Sequence, residues 1–141
     1  MLIDHAGICA MIPHAGSMCL LDRVIDWSAE QIVCAATSHR DPRNPLARSG
    51  RLAAVCGVEY AGQAMALHGA LLRAQPGLGG YLASVRNLRC RNAYLDECGP
   101  ELTVKALLLL AQGARMIYQF ELSDRERVVV SGNAAVALNE G

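Results

Sequence analysis

The sequence predicts an α+β domain in which a mostly antiparallel sheet wraps one long helix. Three observations predict it. One proline-free apolar stretch of helix formers runs from Ala53 or Val55 to about Arg73. Its small and apolar residues surround the cylinder, as they do on a helix covered on most sides. After it come four strand-like segments separated by turn formers, which argues for α+β organisation. With 141 residues, the chain suits one domain over 1–141 and buries roughly two thirds of its unfolded surface.

The elements follow in order. Met18 to Trp27 (MCLLDRVIDW) and Gln31 to Thr37 (QIVCAAT) are apolar and rich in β-branched residues, so they read as paired strands. His39 to Gly50 (HRDPRNPLARSG) holds two prolines, Asn, Asp and Gly, the composition of an irregular loop. Its length also fits a functional loop. The helix then spans roughly 28 Å at 1.5 Å per residue. It ends before Gln75-Pro76-Gly77, a stop signal. Gly62 and Gly69 inside it each cost about 1 kcal/mol against alanine, which implies close approach of another backbone. Tyr81 to Arg91, Glu101 to Ala111, Met116 to Leu122 and Val128 to Leu138 read as the remaining strands. Asp96 to Pro100, Gln112-Gly113 and Ser123-Asp124 provide the breaks.

Composition excludes several functions. One Phe, one Trp and four Tyr leave the core to Leu, Val, Ile, Ala and Met, and supply no stacking platform for single-stranded nucleic acid. Thirteen basic and thirteen acidic residues cancel, and no basic run faces a row of phosphates. No nucleic-acid partner is expected. The six cysteines are Cys9, Cys19, Cys34, Cys56, Cys90 and Cys98, with no C-x-x-C spacing. They read as buried reduced thiols of a cytoplasmic protein, with no metal site expected. Asp4 and His5 interrupt the N-terminal apolar run that a secretory signal needs. The apolar tract at Ala106 to Ala111 is too short to span a bilayer.

Glu59 is the foremost chemical candidate. It lies near the start of the apolar helix, on one face with Gln63 four residues on. Burial there raises a carboxyl's pKa and suits it to proton transfer near neutral pH. Its alternative is structural, a first-turn charge favoured by the helix dipole. Val55 to Val58 begin the helix. Free N–H groups there suit a developing oxyanion, with Gly57 admitting a carbonyl. His39 sits in the loop before the helix and reads either as a base folded over the helix start or as a solvated residue. His14, in Pro13-His14-Ala15-Gly16, reads as a turn residue lining a groove. His68 faces away from Glu59 and reads as structural or interfacial; His5 reads as exposed.

Two stretches carry a resemblance. Ile12 to Val24 (IPHAGSMCLLDRV) is similar to the N-terminal Pro-His segment and Leu-Leu-Asp-Arg-Val strand of the 3-hydroxyacyl-[acyl carrier protein] dehydratases. Val55 to Ala64 (VCGVEYAGQA) is similar to that family's helix start. Within it, Gly57-Val58-Glu59-Tyr60-Ala61-Gly62-Gln63-Ala64 resembles the divergent branch associated with aryl-polyene-type pathways. The resemblance implies a hotdog fold, with two subunits pairing to form the active sites as a homodimer or a heterodimer with another hotdog subunit. It implies a substrate held by thioester on the phosphopantetheine arm of an acyl carrier protein, with no cofactor in the enzyme. Glu59 matches the catalytic acid and Gln63 its partner. The chain departs from the family at Pro45, which stands where better-known members place a catalytic histidine in a His-Phe-Pro-Gly stretch. Neighbouring Asn44 is able to orient substrate or water but not to act as a base.

The leading expectation is dehydration of a 3-hydroxyacyl thioester to the trans-2-enoyl product. In it Glu59 protonates the departing hydroxyl, His39 takes the α-proton, and Gly57, Val58, Gln63, Asn44 and His14 line the substrate. Two alternatives stay open. One is thioester hydrolysis with Glu59 activating water. The other is a non-catalytic subunit that complements a catalytic homologue, as the departure at Pro45 suggests.

Overall fold

The computed structural model describes residues 3–12, 18–73 and 80–138. A short helix α1 (His5–Met11) leads into β1 (Arg23–Trp27) and β2 (Gln31–Ala36). The long helix α2 (Gly57–Leu72) follows, then β3 (Gly80–Cys90), β4 (Leu102–Gln112), β5 (Arg115–Asp124) and β6 (Arg127–Leu138). The six strands form one sheet in the order β1-β2-β4-β5-β6-β3, with every pairing antiparallel. α2 lies on the face of this sheet, against β2, β4, β5 and β3.

The expected architecture is present, with four differences. Met18 to Asp22 precede the strand, which starts at Arg23. There Gln63 binds Met18 and Leu20 backbone groups, and the Asp22 carboxylate accepts a 2.6 Å bond from the Thr37 hydroxyl. The long helix begins at Gly57, because Ala54–Cys56 form a tighter 3-10 turn before it. β5 continues through Ser123 and Asp124, where the Asp124 carboxylate accepts a 3.1 Å bond from the Gly99 N–H. α1 was not expected. Asp4 caps it by accepting from the Gly7 N–H at 2.9 Å. The stop signal Gln75-Pro76-Gly77 lies outside the described residues.

The core sits between α2 and the sheet. Alternate residues face inward: Ile32 and Cys34 on β2, Leu102, Val104 and Ala106 on β4, and Met116, Tyr118, Phe120 and Leu122 on β5. Each fully buried large side chain contributes roughly 1.5–3 kcal/mol. Aromatics are few, yet Tyr60, Tyr118 and Phe120 are among the largest fully buried side chains. The cysteines divide. Cys34 and Cys98 are buried, Cys9, Cys19 and Cys56 half-buried, and Cys90 exposed; all six are free thiols. Burial pushes the Cys34 thiol up to about 12.

Gly57 and Gly62 have different surroundings. A methyl at Gly57 would stand 3.1 Å from Leu122 Cδ2 and 3.3 Å from Val130 Cγ2, so this glycine lets α2 meet the sheet. A methyl at Gly62 would meet nothing within 4 Å. The close approach expected at Gly62 is therefore not made within one chain.

Candidate active site

Glu59 occupies the first turn of α2, where the dipole favours a negative charge. Its side chain is exposed. The expectation of a buried carboxylate does not hold for the single chain, because α2 turns its other faces to the sheet. Val55, Glu59, Gly62 and Ala66 follow one another at helical spacing along the uncovered side. The strip around Glu59 is apolar and small, and Val55 at its head is 55% exposed. Half-buried Val58 borders it.

The backbone at the helix start is already engaged. The Cys56 N–H donates to Ala53 O, and the Gly57 N–H to the carbonyls of Ala54 and Val55. The 3-10 turn thus takes up two of the four groups expected to hold an oxyanion, those of Cys56 and Gly57. Gly57 itself is buried against Leu122 and Val130 rather than open to a substrate carbonyl.

Two expected substrate residues bind the protein's own backbone instead. The Gln63 amide donates to Met18 O at 2.6 Å and accepts from the Leu20 N–H at 2.8 Å. It ties α2 to the segment before β1. The Asn44 amide donates to Ser38 O at 2.9 Å and to the Tyr60 hydroxyl at 3.0 Å, and accepts from the Leu46 N–H at 2.9 Å. His14 lies outside the described residues.

Tyr60 gathers a polar knot beside Glu59 that sequence reasoning missed. Its hydroxyl is 2.7 Å from Ser38 Oγ, which donates in turn to Leu20 O at 2.8 Å. The single Ser38 hydroxyl proton goes to Leu20 O, so the Tyr60 O–H donates to Ser38 Oγ while its oxygen accepts from Asn44. Burial pushes the Tyr60 hydroxyl up, which keeps it a donor. The knot fixes the 38–46 loop to the helix turn that carries Glu59. The usable signal was Tyr60 itself, the residue after Glu59 in the recognised motif.

His39 is buried, at 1% exposure, in the 3-10 turn Ser38–Arg40. A carbonyl only accepts, so Nε2 carries a proton and donates to Gly99 O at 2.7 Å. Nδ1 is buried without a hydrogen-bond partner among the described residues. Burial lowers the ring's pKa and keeps it neutral at pH 7. The imidazole thus has a base's protonation state but no hydrogen bond to Glu59 among the described residues. His68 is a satisfied core residue, donating from Nε2 to Ser28 O and accepting at Nδ1 from Tyr118 O–H, both at 2.7 Å.

Comparison with known proteins places this geometry. A family model for ApeP-like proteins, described as ApeP dehydratase, matches residues 6–140. No curated protein matches the chain. Among solved structures, the dehydratase heterocomplex ApeI:P from Xenorhabdus doucetiae matches with a TM-score of 0.84 and 24% identity, over 94% of this chain and 91% of that one. An uncharacterized protein of Pyrococcus horikoshii matches with a TM-score of 0.66 and 14% identity, over 94% and 93%. A thioesterase of Staphylococcus aureus matches with a TM-score of 0.63 and 14% identity, over 83% and 92%. The shared architecture is the hotdog fold.

Proposed function

Since the chain belongs to the ApeP-like dehydratase family, we propose that it removes water from a 3-hydroxyacyl thioester carried on an acyl carrier protein. The observation that carries this reading is Glu59 on the open strip of α2, in the family's helix-start motif. Its carboxyl protonates the departing hydroxyl while a base takes the α-proton. The products are a trans-2-enoyl thioester and water. Val58 and Gly62 border the acyl group. Gln63 and Asn44 act as positioning residues, holding the Met18–Leu20 segment and the 38–46 loop against the helix.

His39 is this chain's candidate base. Its neutral ring and unpartnered Nδ1 lone pair support the role. His39→Asn tests the assignment. Turnover reduced at least about 100-fold supports it, whereas undiminished turnover assigns the base to a partner subunit.

The exposure of Glu59 favours a site completed by a second hotdog subunit. The apolar strip around it and the outermost strand β3 both lie uncovered. The ApeI:P structure is a heterocomplex, which supports pairing with a different hotdog chain as well as with a second copy. A complementing, non-catalytic role is the second reading, motivated by Pro45 at the histidine position.

The reaction type is tested by mass spectrometry of a 3-hydroxyacyl carrier protein incubated with the protein, alone and with a hotdog homologue. Loss of one water with the thioester intact is the expected result. Thiol release without dehydration would assign thioester hydrolysis instead.

A further inference from the structure

We propose that His5, Cys9 and Cys19 form a binding site for a thiophilic divalent cation of the zinc type, separate from Glu59. The fold brings together three residues that sequence spacing kept apart. His5 and Cys9 are four apart on α1 and so share one face. Cys19 comes from the segment before β1. One ligand atom from each residue lies within 4.8 Å of the other two.

The hydrogen bonds set the histidine for this role. Its Nδ1 lies 2.8 Å from Leu21 O, and a carbonyl accepts, so Nδ1 carries the proton. The lone pair is therefore on Nε2, which stands 3.5 Å from Cys9 Sγ. Metal-bound histidines are commonly oriented by such a bond from the other ring nitrogen. Zinc bound at its usual tetrahedral distances places nitrogen and sulfur about 3.5 Å apart and two sulfurs about 3.8 Å apart. His5 and Cys9 already have that separation. Cys19 Sγ lies 3.9 Å from His5 Nδ1, so its side chain must turn toward Nε2 to join the ion.

Cys19 is also held from the other side. Gln63 binds the carbonyl of Met18 and the N–H of Leu20, the two neighbours of Cys19. A bound ion would therefore clip α1 to the segment that Gln63 fastens to α2. Three protein ligands leave a fourth position, and His5 is exposed while both cysteines are half-buried, so water or an external ligand reaches it. An isolated helix the length of α1 is marginal in water; the ion supplies a cross-link that fixes it.

The experiment uses the reduced, chelator-treated chain titrated with Co²⁺ as a spectroscopic probe for zinc. The expected result is a thiolate-to-cobalt charge-transfer band saturating at one equivalent and displaced by Zn²⁺. Cys9→Ser and Cys19→Ser each abolish the band, His5→Ala weakens binding at least ten-fold or so, and Cys90→Ser leaves it unchanged. Thermal melts guard against misfolding: each serine variant should melt cooperatively, without the rise in Tm that Zn²⁺ gives the parent. Absence of a stoichiometric band overturns the proposal, as does a band that survives both serine substitutions. A Cys9–Cys19 disulfide in the isolated protein, with no Co²⁺ binding after reduction, overturns it too.

Discussion

Three polar side chains proposed for the site around the α2 start have different surroundings in the fold. Glu59 faces out, whereas the amides of Gln63 and Asn44 are taken up by the protein's own backbone and by Tyr60. Tyr60→Phe removes the acceptor for Asn44 and the donor to Ser38. It should lower stability by about 1–3 kcal/mol, read as a lower urea midpoint with unchanged slope. An unchanged midpoint would mean that the knot does not hold the loop. Gly57→Ala should also destabilise, by about 1 kcal/mol, although alanine is the better helix former. The added methyl meets Leu122 and Val130 at 3.1 and 3.3 Å. The identity of Glu59 as candidate acid was legible from its motif. Its exposure was not, because residue periodicity does not say which side of an apolar helix the sheet leaves open.

At the scale of elements, α2 and all six strands were legible from apolar runs and the turn formers between them. The boundaries moved where side chains make specific bonds: Gln63 to backbone and Asp22 to the Thr37 hydroxyl in the segment before β1, and Asp124 to the Gly99 N–H at the end of β5. α1 was hidden because seven residues carry little periodic signal, although Asp4 three before Gly7 is a cap that marks it. Two of the expected free N–H groups at the α2 start, those of Cys56 and Gly57, are taken up by a 3-10 turn that propensity does not reveal. The histidines make the packing of these elements sensitive to pH. Burial lowers the pKa of His68, between α2 and β5, and of His39, beside Gly99. The unfolded chain therefore takes up protons below about pH 6.5 that the folded chain refuses. Stability should be flat from there to about pH 8, where unfolded thiols begin to titrate, and fall as pH drops through about 6.5, by up to about 1.4 kcal/mol per unit for each excluded proton. Urea midpoints at two pH values, one on each side, check this; equal midpoints would contradict it.

Two surfaces of the molecule lie uncovered. β3 is an outermost strand whose described side chains are exposed or half-buried, with Leu82 and Leu88 among them. The strip of α2 carrying Glu59 is likewise uncovered, and zero net charge offers little repulsion between copies. A second hotdog chain covering the α2 strip would shield Glu59 from water. Gly62→Trp tests the covering directly, because a single chain has open space there. It should keep cooperative unfolding while light scattering shows the mass of one chain in place of the complex. A complex of unchanged mass would place the interface elsewhere. The sequence carried the helix-start motif, but a surface that a further chain would cover is not written in one chain's periodicity.

The most direct measurement is turnover of a 3-hydroxyacyl carrier protein by the assembled complex with Glu59 or with Glu59→Gln in this chain. The partner's own corresponding acid should be replaced in both, so that only Glu59 differs. The variant should fold and assemble like the parent and lose at least about 100-fold in dehydration. Equal rates would show that the proton comes from another group.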